Sequence, residues 1–418
     1  MTLSAASQQD FSLAYYAGNR VVGSLAVIHR RGGKTEVEPL ETGRDTGLEQ
    51  DLKPIFIGLT EDLRIILLDP KTRQIRITTS FPADAFPAHI YDDPGSNRSW
   101  FMNDGDKQTG NDRLNCGDRG SSVTVVEDVS SAEARFLNTI CVGRGHHQAA
   151  YTFPTESAPG VPRRVFVSNL NDGTVSVIGN DPAERDTFLS LIETVNLCES
   201  DKEETRTAAL PNKSYPHGLV YSRLTGRVYN LNNGYGTIAV IDPRTNGIER
   251  RLGFKGHSNL FMSPAGRFII GRGADRKSDP NHVIANLTAL DLDNMQVTDR
   301  LSLPDVYISK YYFSPEGTKL YLTTASSGSP EQQAHIKVDA LLVIDLSALP
   351  KVRLRRELRL GSPCGSLAFT HPNGTGGLVF ASNSEAGSVT VIDGDTDEII
   401  ERIPVMQGMS HSRVWTLG

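Results

Sequence analysis

Cysteine is scarce in this chain of 418 residues: Cys116, Cys141, Cys198 and Cys364 are scattered, with no C-x-x-C pair among them. That spacing excludes a disulfide framework and gives no zinc signature. Long apolar runs are missing too. The longest, such as PIFIGL and DALLVIDL, are strand-length and fall far short of the roughly 20 residues needed to cross a bilayer. Basic charge is not in excess, with a net charge of −6 and a pI near 6.0, so neither nucleic acid nor an anionic membrane surface is an expected partner. The opening segment MTLSAASQQDFSLAYYAG lacks a basic stretch followed by an apolar one. A cytoplasmic chain is expected from it, or a periplasmic one if a leader was removed. G-x-S-x-G, the P-loop and a G-x-G-x-x-G at a strand–helix junction are all absent, which removes the nucleophile elbow and the common nucleotide sites.

What the chain does have is turn chemistry, with 38 glycines and 22 prolines, and a repeat. VFVSNLNDGTVSVIG (165–179), VYNLNNGYGTIAVIDPRTNGIERRLGF (228–254) and LVFASNSEAGSVTVIDGDTDEIIERIPV (378–405) share one plan. Apolar residues alternate with period two, and N-D-G, N-N-G and T-N-G turns bound the runs, which are strand and hairpin signals. Each copy reads as four short antiparallel strands. Such small sheets cannot bury their own faces, and stacking a series of them around a ring gives a β-propeller. In V-F-V-S-N…G-T-V-S-V-I and L-V-F-A-S-N…G-S-V-T-V-I-D the chain resembles the YVTN family of propeller repeats over nearly its whole length. The resemblance implies the fold; the family is functionally mixed, so it implies no activity.

Innermost strands are expected to start near His89, His147, His217, His257, Ile308, Gly365 and His411. The interval from His411 through the C-terminus and round to His89 is the longest and has room for two blades, which leaves seven or eight in all. The final segment HSRVWTL reads as an inner strand with nothing after it, and SLAYYAG as outer strands without an inner one. The two ends are therefore expected to complete one blade, closing a single domain over 1–418 and removing free sheet edges.

Histidine recurs at the inner-strand start. His89, His146, His147, His217, His257 and His411 fall there, six of the ten in the chain. Residues at one repeat position converge around one end of the channel. Imidazoles on rigid strands suit copper, iron, zinc or nickel, so His89, His147, His217, His257 and His411 are expected metal ligands, with His146 as ligand or acid/base. The bland alternative is a polar, hydrated channel carrying duplicated residues. The His146-His147 pair resembles the His-His element of the multicopper propellers, nitrous-oxide reductase and thiocyanate dehydrogenase. That resemblance implies a copper or iron oxidoreductase acting on a small molecule, copper slightly ahead, with fewer ligands than those enzymes use.

Lys310 is a second catalytic candidate, able to hold an anionic substrate or give a proton; a solvated strand end is its ordinary role. Arg144 and Arg413 could hold an anion, Cys364 could be a soft ligand or an inert thiol, and Tyr215 and Trp415 could wall the site. NDGDKQTGNDRLNCGD (103–118), within an acidic insertion spanning 103–120, has the oxygen-ligand character of a calcium loop but no closing Glu. Competing readings are a metal- or haem-binding propeller, an interaction scaffold, and a lactonase-type hydrolase, the last lowered by carboxylate-poor inner positions. A homo-oligomer is compatible with all of them.

Overall fold

The structure is a computed structural model that describes residues 9–18, 23–40, 56–59, 64–68, 75–80, 87–105, 121–128, 135–370 and 377–417. Among the described residues, seven sheets have four antiparallel strands each, and one further sheet has three. The inner strands Pro87–Asp92, Ala149–Thr152, Pro216–Ser222, Asn259–Met262, Ile308–Phe313 and Cys364–Phe369 open what we number blades 1 to 6. Each begins within two residues of its expected position. The seventh inner strand, His411–Thr416, pairs with Phe11–Gly18, setting Gly18 opposite His411 and Leu13 opposite Thr416. This closing blade joins the two ends of the described chain, as the unpartnered terminal segments require. The three-stranded sheet comprises Phe56–Leu59, Arg64–Leu68 and Ile75–Ser80. TGRDTGLEQD (42–51), within the interval that has room for two blades, lies outside the described residues.

Period-two alternation explains the ring. In blade 2 the strand Arg164–Asn169 sends Val165 and Val167 toward Trp100, Met102 and Val125 of blade 1. Phe166, between them, packs with Val228, Ala239 and Ile241 of blade 3. A middle strand is thus buried on both faces by its two neighbours, whereas outer strands such as Arg353–Arg359 are mostly exposed. A similar apolar cluster fills each junction, ending where Phe380, Val389 and Val391 of blade 6 meet Leu13, Tyr15 and Val414 of the closing blade.

The repeated asparagine also has a physical role. The Nδ2 groups of Asn103, Asn169 and Asn383 each donate to two hydroxyls of the next strand: Ser122 and Thr124, Thr174 and Ser176, and Ser388 and Thr390. The buried Nδ2 groups are thereby satisfied while the hairpin is tied together.

Candidate functional site

At the end of the channel where the inner strands begin lies a cavity of about 630 Å³. Inner strands open irregularly there. Register shifts fall between Pro87 and His89, Pro216 and Leu219, Ile308 and Tyr311, and Cys364 and Leu367. Such bulges re-aim side chains, and His89, His217, Ser309, Lys310 and Ser366 at these places all line the cavity.

One half of the mouth, from blades 1 to 3, is imidazole. His146 sits in the connection into blade 2, held by backbone bonds. Gly145 adopts φ 109°, and a Cβ there would meet the Asn171 backbone nitrogen at 2.6 Å, so glycine is required. Arg144 beside it donates from its backbone N and its Nε to Asp172 at 2.6 and 2.8 Å. The His146 ring spans two partners. Its Nδ1–H donates to Oδ2 of Asp104, 2.9 Å away, and its Nε2 lies 2.6 Å from Nε2 of His89. Asp104 is the first residue past the strand Arg98–Asn103 and is only 2% exposed. His217 stacks on His146, ring centroids 5.5 Å apart. Its Nδ1–H donates to the Ser258 carbonyl at 2.7 Å, leaving an Nε2 lone pair. Burial holds the His217 pKa down at about 4, and the positive charge of His146, Arg272 and His89 pushes the same way, so the ring is neutral across the physiological range.

The other half is cationic. Arg272 of blade 4 donates from Nη1 to the carbonyls of Ile308 and Ser309, the latter at 2.7 Å. Lys310 of blade 5 and Arg413 of the closing blade both donate to the carbonyl of Gly365, at 3.1 and 2.8 Å. Their charges are felt at Cys364: burial pushes its thiol up to about 12, although Lys310 and Arg413 pull the other way. A thiol held so high is protonated and inert at neutral pH. Gln148, Asn259, Trp415 and the tyrosines Tyr91, Tyr311 and Tyr312 also line the cavity.

The expected five-histidine ring is not what the structure builds. Of its members, only His89 and His217 share the cavity with His146. His147 is fully buried behind it, with Nδ1–H donating to the Ser168 carbonyl at 2.8 Å. His257 stacks on Phe254 at 4.0 Å and bonds the Thr288 hydroxyl at 2.8 Å, and burial lowers its pKa to about 4. His411 is exposed, its Nδ1 beside the Ser410 hydroxyl. Tyr215 is 46% exposed and outside the lining, whereas Trp415 is part of it. Arg144 serves Asp172 rather than the mouth. Of the calcium loop expected at 103–118, residues 106–118 lie outside the described residues. Asp104, inside that loop, bonds Nδ1 of His146 through its Oδ2. Arg272 was not singled out from the sequence; the signal was a lone arginine between glycines in the otherwise apolar FIIGRGA.

No family model matches the chain, and no curated protein matches it. Solved structures do. The periplasmic gluconolactonase PpgL of Pseudomonas aeruginosa aligns with a TM-score of 0.55 and 14% identity, over 97% of this chain and 99% of that one. AztD of Citrobacter koseri gives 0.56 and 12%, over 98% of each chain. A Bacteroides uniformis protein provisionally named as a 6-phosphogluconolactonase gives 0.51 and 13%, over 96% and 99%. At these identities the likeness shows the propeller fold.

The expectation of a copper- or iron-dependent oxidoreductase is corrected by these findings. Among the described residues no group of three or more His, Cys, Asp and Glu side chains is disposed to hold a metal ion. Both nitrogens of His146 are engaged, and His147, His257 and His411 are not among the residues lining the cavity. Two of the similar structures are named as lactonases.

Proposed function

We propose that the channel mouth hydrolyses a small lactone or ester. The observation behind this reading is the line Asp104–His146–His89, a buried carboxylate orienting an imidazole whose far nitrogen meets a second imidazole at the wall of a cavity of small-molecule size. Water entering between the rings replaces their mutual bond. It gives a proton to Nε2 of His146 as its oxygen bonds to the acyl carbon, and Asp104 stabilises the imidazolium. Collapse of the tetrahedral intermediate breaks the bond to the ring or alkoxy oxygen. That oxygen takes the proton back from His146, leaving an alcohol and a carboxylic acid that ionises. Neutral His217 offers a lone pair to a substrate hydroxyl, which favours polyhydroxy acids.

The names of the two lactonase-like structures agree with a small-molecule enzyme on this scaffold. Acid release from D-glucono-δ-lactone above the spontaneous rate, present in the native protein and absent in H146N, tests the reading.

A further inference from the structure

We propose that Tyr311 is the platform on which the ring of the substrate lies, which makes the channel mouth selective for a cyclic ester over its open-chain counterpart. Naming that ring as a lactone rests on the hydrolase reading; the ring-binding face at Tyr311 does not.

The repeat itself singles this residue out. In the four inner strands that open with a bulge, the fourth residue is Ile90, Leu219, Tyr311 and Leu367, and all four line the same cavity. Ile90, Leu219 and Leu367 are buried, whereas Tyr311 is 40% exposed. Leu219 and Leu367 belong to the apolar clusters of their blade junctions, so a leucine is enough to satisfy packing at this place in the repeat. Tyrosine adds a ring that reaches beyond the core. That ring is held in position: one face lies on Phe261 of blade 4, with centroids 3.8 Å apart and planes at 28°, and Phe313 meets it edge-on at 5.9 Å. Phe261 is buried in the junction between blades 4 and 5, so the support is rigid. With one face covered, the exposed surface of Tyr311 is its other face, at the cavity wall. A fixed aromatic face binds a flat partner without paying to order the side chain first. The C–H bonds on either face of a six-membered polyhydroxy lactone meet such an electron-rich surface, while its hydroxyls point sideways to the polar lining. An open-chain ester of the same acid has no flat face to offer. His89 and His146 line the same cavity from blades 1 and 2, so a ring lying on Tyr311 of blade 5 leaves its free edge to the imidazoles.

The test uses the full chain. D-Glucono-δ-lactam, in which nitrogen replaces the ring oxygen and the acyl bond resists hydrolysis, is titrated by calorimetry into the native protein, Y311L and Y311F. Y311L installs the residue that blades 3 and 6 carry at this place; thermal melting checks that each variant is folded, and Y311M takes its place should Y311L unfold. Lactam binding is expected in the native protein, weakened roughly tenfold or more in Y311L and kept within about threefold in Y311F, which retains the ring. With D-glucono-δ-lactone as substrate, Y311L should raise KM by about the same factor with kcat little changed. The ratio of kcat/KM for the lactone to that for methyl D-gluconate, the open-chain ester of the same acid, should fall roughly tenfold with it. No lactam binding by the native protein, equal affinity in the folded leucine or methionine variant, or a loss in Y311F as large as in Y311L would overturn the proposal. Lactam binding that depends on Tyr311 without lactone hydrolysis would overturn the hydrolase reading and leave the platform standing.

Discussion

The two halves of the channel mouth use the same repeat position for opposite purposes. In blades 1 and 3 the bulged start of the inner strand presents His89 and His217; in blade 5 it presents Lys310. The imidazole half is tied side chain to side chain, Asp104 to His146 to His89, so its protons can move. The cationic half is tied to backbone carbonyls, so its charges stay fixed. One repeat position thus carries side chains anchored in different ways, imidazoles to other side chains and cations to main-chain carbonyls, without altering the fold.

Removing residues 411–418 should have the largest effect, because it takes Arg413 from the cationic half and the inner strand from the closing blade at once. Val414 and Trp415 are buried, at 1% and 8% exposure, and losing two such side chains costs about 3–6 kcal/mol before the pairing with Phe11–Gly18 is counted. A melting temperature lower by roughly 10 °C or more is expected. An unchanged one would mean that the ring is not closed there. D104N leaves the cationic half alone and removes the carboxylate behind His146. A fall in kcat of about 10²-fold or more, with KM little changed, is expected for lactone hydrolysis; loss confined to KM would contradict an orienting role.

Acid separates the halves more gently. His217 and His257 have folded pKa values of about 4 against 6.5 unfolded. The unfolded chain binds more protons between these values, so this stabilisation is complete above pH 6.5 and is lost as pH falls toward 4. It amounts to up to about 3 kcal/mol per ring. Urea midpoints at pH 7 and pH 4.5 should therefore differ clearly, and H257N should flatten the difference; equal slopes in both proteins would remove His257 from the account. The smallest effect is expected for D172N, which loosens Arg144 and the loop holding His146. About a tenfold loss in kcat, with KM little changed, would place Asp172 as a positioning residue of the imidazole half alone.

The fold was legible because a propeller repeats one local pattern. Alternating Val and Ile runs, the Asn ending second strands at Asn103, Asn169, Asn232 and Asn383, and the Gly turns all state the same unit several times, and the unmatched ends at SLAYYAG and HSRVWTL imply closure. Of the histidines at inner-strand starts, His89, His146 and His217 do line one cavity. Which of them would meet there was not legible. A one-residue offset separates His146, which faces the cavity, from His147, which is buried behind it, and sequence does not say where a bulge turns the chain. His257 fills a slot between Phe254 and Thr288 that only packing reveals. Asp104 looked like part of an acidic loop because its partner lies 42 residues away, and Arg272 reaches the mouth from a second strand rather than a first.

Steady-state hydrolysis of D-glucono-δ-lactone, corrected for the spontaneous reaction and compared between the native protein and folded H146N, is the most direct test. Catalysis by the native protein and a fall of about 10²–10⁴-fold in kcat for H146N would support the Asp104–His146–His89 relay. Equal rates in the two proteins, or no rate above background in the native one across a panel of lactones and esters, would contradict it.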